Sequence, residues 1–216
     1  VNGGSVNVEE KVKKNARITL NGGSLEFEDE VEKNARIDVT SGSLILSRVK
    51  ENAKLNLTGG IVDLTGTIEK NANFDIQNAT VNVEEEDLFK KNINMMLDNG
   101  VLNTNGNEFT LNSLTLTGNS TLDLGSNPLT DIDLGRVNGN GILEVVGYDN
   151  NTKIKFKENQ SSIDSGSQIL FGSTPGMIDG EGYIVPAVPE PSTYLGGGLL
   201  ALAAVLLELR RRKKTS

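Results

Sequence analysis

The chain of 216 residues contains no cysteine, no histidine and no tryptophan, and only 4% of its residues are aromatic. The absence of cysteine is compatible with export but leaves no disulfide signature. The absence of histidine removes the most common general base and metal ligand. Scarce aromatics leave few platforms on which a sugar ring could stack. We therefore expect no enzyme activity, and we assign no cofactor and no metal.

Acidic residues outnumber basic ones by 29 to 21, and the excess is unevenly distributed. When Glu208 and the five cations near the C-terminus are left out, 16 basic residues stand against 28 acidic ones, a net charge of −12. An acidic body of this kind repels nucleic acid and anionic membrane surfaces. We therefore exclude nucleic acid from the expected partners.

Two short sequence motifs recur along the first half of the chain. The first is a glycine- or serine-rich turn followed by an apolar residue, at residues 2–6, 21–25, 40–44 and 58–62. The second is an asparagine that precedes a small and then a polar residue, at Asn15, Asn34, Asn52, Asn71 and, in a degenerate form, Asn92. These asparagines are 19, 18, 19 and 21 residues apart. A period held this closely indicates a repeat architecture.

Between these motifs, apolar and polar residues alternate, which is typical of short β-strands. In one repeat the residues predicted to point inwards are Leu25, Phe27, Val31, Ala35, Ile37 and Val39. Those predicted to point outwards are Glu26, Glu28 and Arg36. A helical repeat is excluded, because the 3.6-residue period is absent.

Two β architectures remain, an antiparallel sandwich of hairpins and a parallel β-solenoid with one coil per repeat. The sandwich gives no reason for the constant period, so we predict the solenoid. Stacked coils would place the asparagines above one another, with a left-handed backbone and a ladder of side-chain amides. They would also align two internal columns, Val6, Leu25, Leu44 and Val62, and Ala16, Ala35, Ala53 and Ala72.

The repeat loosens after Gln77 but continues towards Gly172. The next segment holds glycines and prolines with few apolar pairs, and we interpret it as a cap and linker. The predicted organisation is a β-solenoid body at residues 1–172, a cap and linker at 173–188, and a C-terminal signal at 189–214.

Two groups of carboxylates are candidates for chemistry. Residues 84–87 form the densest acidic run, and hard cations such as calcium prefer several oxygen ligands; a solvated acidic turn is the favoured interpretation. Asp131 and Asp133 flank Ile132 and would point the same way from a strand, about 6.8 Å apart, near the spacing of paired carboxylates in inverting glycosidases. Any exposed strand places polar residues in this way, so we favour a surface role over catalysis.

The C-terminal residues combine three segments in a fixed order. First comes a short polar box, followed by an apolar run from residue 195 to 207 within a predicted helix at 194–209. The box consists of Pro189, Glu190, Pro191, Ser192 and Thr193. The chain then ends in a basic cluster of Arg210, Arg211, Arg212, Lys213 and Lys214, which would hold this end in the cytoplasm.

This arrangement resembles the PEP-CTERM sorting signal of Gram-negative bacteria that produce exopolysaccharide. The resemblance implies a protein that is exported, held transiently in the inner membrane by the short hydrophobic helix, and processed near the box by an exosortase-type protease. The chain begins at Val1 without a secretory leader. Because such a signal requires export, we expect a mature form or a fragment whose leader has been removed.

A second resemblance concerns the last coils. Residues 114–125 and 169–172, followed by the sorting signal, are similar to the ends of autotransporter-associated β-strand repeat proteins. That family implies a passenger-like, right-handed β-helix. Taken together, we expect an exported structural or adhesin-like protein of the cell surface or biofilm matrix. The alternative is a carbohydrate-active or carbohydrate-binding β-helix that acts on exopolysaccharide.

Overall fold

The computed structural model describes residues 1–125, 131–149, 152–156, 168–179 and 181–187. All the regular elements within these ranges are β-strands. The predicted C-terminal helix lies outside the described residues, as do the box and the basic cluster. The strands are β1 Ser5–Val8, β2 Arg17–Val31, β3 Arg36–Val49, β4 Lys54–Leu57, β5 Ile61–Leu64, β6 Asn73–Gln77, β7 Thr80–Val83, β8 Asn94–Asp98, β9 Val101–Asn103, β10 Phe109–Thr110, β11 Ser113–Leu116, β12 Asn119–Asp123, β13 Asp131–Asp133, β14 Arg136–Gly139, β15 Ile142–Val146, β16 Lys153–Lys155, β17 Gln168–Phe171, β18 Thr174–Ile178 and β19 Ile184–Pro186.

These strands stack in parallel into a β-solenoid of about 8 turns, with equivalent residues about 19 positions apart. The predicted parallel solenoid is therefore confirmed. Each coil has three faces. Face A contains the first part of β2 and β3, then β4, β6, β8, β11 and β14. Face B contains β1, the later part of β2 and β3, then β5, β7, β9, β12, β15 and β17.

Face C is the narrowest face. In the first coils it is a single column of paired residues, in which Val12 pairs with Val31, Val31 with Val49, Val49 with Ile68 and Ile68 with Phe89. In later coils it widens into a small parallel sheet of β10, β13 and β16. After β17 the direction changes, because β18 pairs with β17 and β19 pairs with β18 in antiparallel fashion. These two strands belong to the same compact unit as the coils, Val1–Pro186.

The core is a set of apolar columns that run through the coils. All six residues predicted to point inwards are buried. Of the three predicted to point outwards, Glu28 and Arg36 are exposed and Glu26 is half-buried. The two predicted columns are in register, with Leu25 opposite Leu44 and Leu44 opposite Val62. Val6 differs from its column, since 41% of its surface is exposed. The reason is its position in the first coil, which has a neighbour on one side only among the described residues.

Three phenylalanines add an aromatic stack to this core. The ring centroids of Phe74 and Phe89 are 5.7 Å apart, and those of Phe89 and Phe109 are 5.6 Å apart, both with edge-to-face geometry. Such pairs contribute roughly 0.5–1.5 kcal/mol beyond their buried area. Phe74 belongs to face A and Phe89 to face C, so the stack joins two faces across the interior.

The corner between faces C and A is built by the repeated asparagine. Asn15, Asn34, Asn52, Asn71 and Asn92 all have a left-handed backbone, with φ between 59° and 62°. The Nδ2 of each of the last four donates a hydrogen bond to the Oδ1 of the asparagine one coil earlier, at 3.1–3.2 Å. The predicted ladder and its left-handed corner are both confirmed. Asparagine is suited to both roles, because its short amide tolerates this conformation and can donate and accept along a column.

The opposite corner, between faces A and B, depends on glycine. A Cβ added to Gly23 would lie 2.3 Å from the carbonyl oxygen of Gly4, and one added to Gly42 would lie 2.4 Å from that of Gly23. Their φ angles of 80° and 96° also disfavour other residues. The glycine-rich motif recurs in the sequence because the backbones of adjacent coils are in close contact at this corner.

We predict that Asn52→Ala, which removes two bonds of the ladder, destabilises the solenoid by about 3–4 kcal/mol. The substitution costs about 1–2 kcal/mol for the left-handed backbone and about 1 kcal/mol for each lost amide hydrogen bond. Urea denaturation measures the loss. Asn52→Gly tolerates the backbone but breaks the ladder, so it should lose less. Asn140→Ala, at an exposed site with no side-chain bond described, is the control. Equal effects at positions 52 and 140 would contradict the proposed role of the ladder.

Candidate functional site

The outer surface of face C carries charges that alternate in sign from coil to coil. The residues that follow the bridge positions are Lys13, Glu32, Lys50, Glu69 and Lys90. The residues that precede them in the first three coils are Lys11, Glu30 and Arg48. Every one of these positions therefore lies beside an opposite charge in the adjacent coil.

Glu30 is the centre of this charge ladder. Its side chain is largely covered by three cations, with Nζ of Lys11 at 2.7 Å, Nζ of Lys50 at 3.3 Å and Arg48 at 3.8 Å. The hydrogen bond from Lys11 lowers the pKa of Glu30 below its ordinary value of 4.5, against the opposing effect of desolvation. Lys50 also binds Glu69 at 2.8 Å, and these bonds raise the pKa of Lys50.

Asp131 and Asp133 also lie on face C, in its later part. They flank the buried Ile132 on β13, as predicted, and pair with Lys153 and Lys155 of β16. Nζ of Lys155 lies 3.1 Å from Oδ1 of Asp131, and the hydrogen bond with Asp131 raises the pKa of Lys155. Asp133 accepts a hydrogen bond from the backbone N–H of Gly135 at 2.9 Å. Both carboxylates thus have structural partners, which favours the surface role over a pair poised for acid–base chemistry.

The acidic run at residues 84–87 is an exposed turn after β7. Glu84 accepts a hydrogen bond from the amide of Asn105 at 2.9 Å, and Asp87 has a left-handed backbone. Over the part of the chain that the structure describes, no three carboxylate, histidine or cysteine side chains converge as a metal site requires. The run matches the solvated turn that the sequence favoured.

Face A carries a groove that the sequence analysis did not predict. Two adjoining cavities of about 350 and 270 Å³ share Ser113 and extend along the solenoid axis. Their outward-facing lining consists of Lys54, Asn56, Asn73, Asp75, Asn94, Met96, Asn112, Ser113, Thr115, Arg136 and Asn138. We call this set the face A groove. It crosses five coils from β4 to β14, about 19 Å at 4.8 Å per coil.

The groove is rich in groups that both donate and accept hydrogen bonds. Asn94 is central, because its Nδ2 donates to Asn73 at 3.1 Å while its Oδ1 accepts from Ser113 and Asn112, both at 2.8 Å. Lys54 and Arg136 lie at the two ends, and neither forms an ion pair with a described residue. Amides and hydroxyls in a row suit a polyhydroxylated ligand.

A larger open cavity of about 530 Å³ lies on face C. It is lined by Glu51, Glu69, Lys70, Asp87, Phe89, Lys90, Lys91 and Thr110. Several of its charged groups have partners within the fold: Lys70 binds Glu51 at 3.2 Å, Glu69 binds Lys50 at 2.8 Å, and Lys90 donates to the backbone oxygen of Asp87 at 3.1 Å. Phe89, its main apolar member, is only 4% exposed. The face A groove therefore presents the better set of groups for a ligand.

Comparison with protein-family models, curated proteins and solved structures finds no match to this chain. Within the described ranges, no helix has both the length and the apolar character needed to cross a membrane. A signal for the groove was present in the sequence, because Asn73 and Asn94 each follow a corner asparagine by two residues. Alternation alone does not show which of the outward polar residues share one groove.

We predict that the stability conferred by Glu30 is lost in acid. Because its pKa is lowered in the fold, its contribution is present above pH 4.5 and disappears as the pH falls through the folded-state value. Thermal denaturation should show a melting temperature that falls below pH 4.5, and a smaller fall for Glu30→Gln. The exposed Glu85→Gln is the matched control. An acid transition that is unchanged by Glu30→Gln would contradict this assignment.

Proposed function

We propose that this chain is an exported structural, adhesin-like protein of the surface or biofilm matrix of a Gram-negative bacterium. The observation that carries the proposal is the combination of a self-stacking acidic repeat body with a C-terminal signal that resembles PEP-CTERM. The body uses its corner asparagines, its glycines and a set of charged residues centred on Glu30 to bind its own adjacent coils. A rigid rod of this kind suits a spacer or scaffold, and its acidic surface disfavours nucleic acid.

In this proposal the C-terminal signal sorts the body. The segment from residue 189 to 193 is recognised and processed by an exosortase-type protease, after the hydrophobic run has engaged the inner membrane. The cations at 210–214 keep the end of the chain in the cytoplasm. We further propose that the coils wind in the right-handed sense, which about 98% of parallel crossover connections adopt.

We predict that replacing the five cations from Arg210 to Lys214 by serine mislocalises the protein. Without them the tail loses the charge asymmetry that orients it in the membrane. Cell fractionation in a bacterium that possesses an exosortase measures the surface-exposed fraction, which should fall sharply. Replacing the basic residues Lys13, Lys14, Lys33, Arg36 and Lys54 of the body by serine is the matched control for total charge. Equal surface exposure of the tail variant and the unchanged protein would contradict the proposed signal.

A second candidate function is carbohydrate binding, and the face A groove is the observation that favours it. Its amide and hydroxyl groups suit the hydroxyls of an extended exopolysaccharide, and Lys54 and Arg136 can contact negatively charged substituents at either end. The described residues lack an aromatic platform in this groove, so hydrogen bonds would dominate recognition. We propose binding without catalysis, because the lining contains a single carboxylate, Asp75, which accepts a hydrogen bond from Gln77 at 3.0 Å.

If the groove binds polysaccharide, Thr115→Arg should weaken that binding by about tenfold, or ~1.4 kcal/mol. The arginine would occupy the centre of the groove while it leaves the buried side of β11 unchanged. Affinity electrophoresis in gels that contain the exopolysaccharide of the host measures the effect. Thr121→Arg, at a comparable half-buried outward position on face B, is the matched control. Equal retardation of the two variants would exclude the groove as the binding site.

A further inference from the structure

Face A carries a column of like charges in the coils that lead to the face A groove. Arg17 pairs with Arg36, and Arg36 pairs with Lys54, so the three cations stack in register about 4.8 Å apart. All three side chains are exposed. Like charges directly opposite one another destabilise a sheet, and the same coils avoid this on face C by alternating sign. We call the column of Arg17, Arg36 and Lys54 the cationic strip.

A single carboxylate compensates the cationic strip only in part. Asp38 is the one acidic residue among the six outward residues of β4 and of the first parts of β2 and β3. Its carboxylate lies 3.1 Å from Nη2 of Arg17 and accepts a hydrogen bond from Nε of Arg36 at 2.9 Å. The two Nη groups of Arg36 and the Nζ of Lys54 form no bond with a described residue. Three cations against one carboxylate leave a net charge of +2 here, on a body that carries −12.

The cationic strip and the face A groove share one column of the solenoid. Beyond Lys54 the same register position is held by Asn73, Asn94 and Ser113, and then by Arg136. The complete column crosses seven coils, from β2 to β14, a length of about 29 Å at 4.8 Å per coil. A linear ligand along this column would meet cations at one end, amides and a hydroxyl in the middle, and Arg136 at the other end.

We propose that the cationic strip binds the carboxylates of a linear acidic polysaccharide whose chain continues along the face A groove. This inference rests on the proposed carbohydrate binding, and it adds the charge of the ligand and the residues that recognise that charge. A guanidinium presents parallel N–H donors that match a carboxylate, and the Nη groups of Arg36 supply such donors. The exposed Nζ of Lys54 adds a point charge one coil further along. The uncharged middle of the column suits a ligand that carries hydroxyls as well as anionic groups.

Two other anionic partners fit the cationic strip less well. Duplex DNA carries one charge per roughly 1.7 Å of its axis, which is far denser than one cation per 4.8 Å, and the net charge of the body repels it. A second copy of this chain offers carboxylates on face C, but Glu30 and Glu69 are already bound by cations of their own fold. A polysaccharide with spaced carboxylates meets neither obstacle.

The test measures binding of the full chain to polygalacturonate, a linear polymer of a uronic acid, by affinity electrophoresis at low ionic strength. We expect the strip variant, Arg36→Thr combined with Lys54→Thr, to bind roughly tenfold more weakly or worse. Added salt should reduce the difference, because it screens exposed charges. Lys54→Thr alone leaves no described partner unpaired, and it should give a smaller loss. The matched control is Lys13→Thr combined with Lys91→Thr, which removes two exposed cations outside the strip and should bind as the unchanged protein does.

Thr115→Leu separates this inference from the groove itself, because it removes a hydroxyl and adds bulk in the groove without a change of charge. Weaker binding of Thr115→Leu with unchanged binding of the strip variant would keep the groove and overturn the strip. The reverse result would keep the strip and exclude the groove. Equal losses in the strip variant and in the matched control would overturn the proposal. So would a chain that dimerises through the strip without polymer, or one whose strip binds duplex DNA as tightly as polygalacturonate.

Discussion

In-register stacking of coils is the constraint on which the rest of this structure depends. In a parallel solenoid each side chain lies beside its equivalents one repeat before and one repeat after, about 4.8 Å away. A residue type is therefore acceptable only if it can pack against its own kind or if its neighbours compensate for it. Leucine, valine and isoleucine satisfy this condition by apolar contact, and asparagine satisfies it by donating to one neighbour and accepting from the other.

Charged residues need compensation from their neighbours, because like charges in adjacent strands destabilise a sheet. On face A, Arg17 and Arg36 are stacked in register, and both bind Asp38. The chain meets the difficulty by alternating sign on face C, where lysine, glutamate and arginine succeed one another. The strict repeat of the core thus coexists with a surface whose effective period is two coils. Glu30 shows the result most clearly, since cations from both adjacent coils surround it.

The same constraint shapes the surfaces available for function. On face A, asparagine and serine replace charges in the middle coils, and their mutual hydrogen bonds hold a polar groove open along the axis.

Much of the fold could be predicted from the sequence, because in a repeat protein the equivalent residues of adjacent repeats contact one another. Once Asn15, Asn34, Asn52 and Asn71 recur at a nearly constant spacing, the columns and their burial follow from strand alternation. The groove could not be predicted in this way, since outward polar residues occur on all three faces. Nor could the partners of Asp131 be predicted, because a strand pattern specifies side-chain direction but not which cation of the next coil lies within reach.

The sequence by itself determined the period, the parallel stacking, the inward columns and the left-handed asparagine corner, because each of these is a property that one repeat shares with the next. Only the tertiary structure decided which outward residues meet in the face A groove, how three cations cover Glu30, and that Val6 is exposed while Leu25 beside it is buried. These features depend on the distances between different coils and on the position of a coil in the stack. A local pattern carries no information about either.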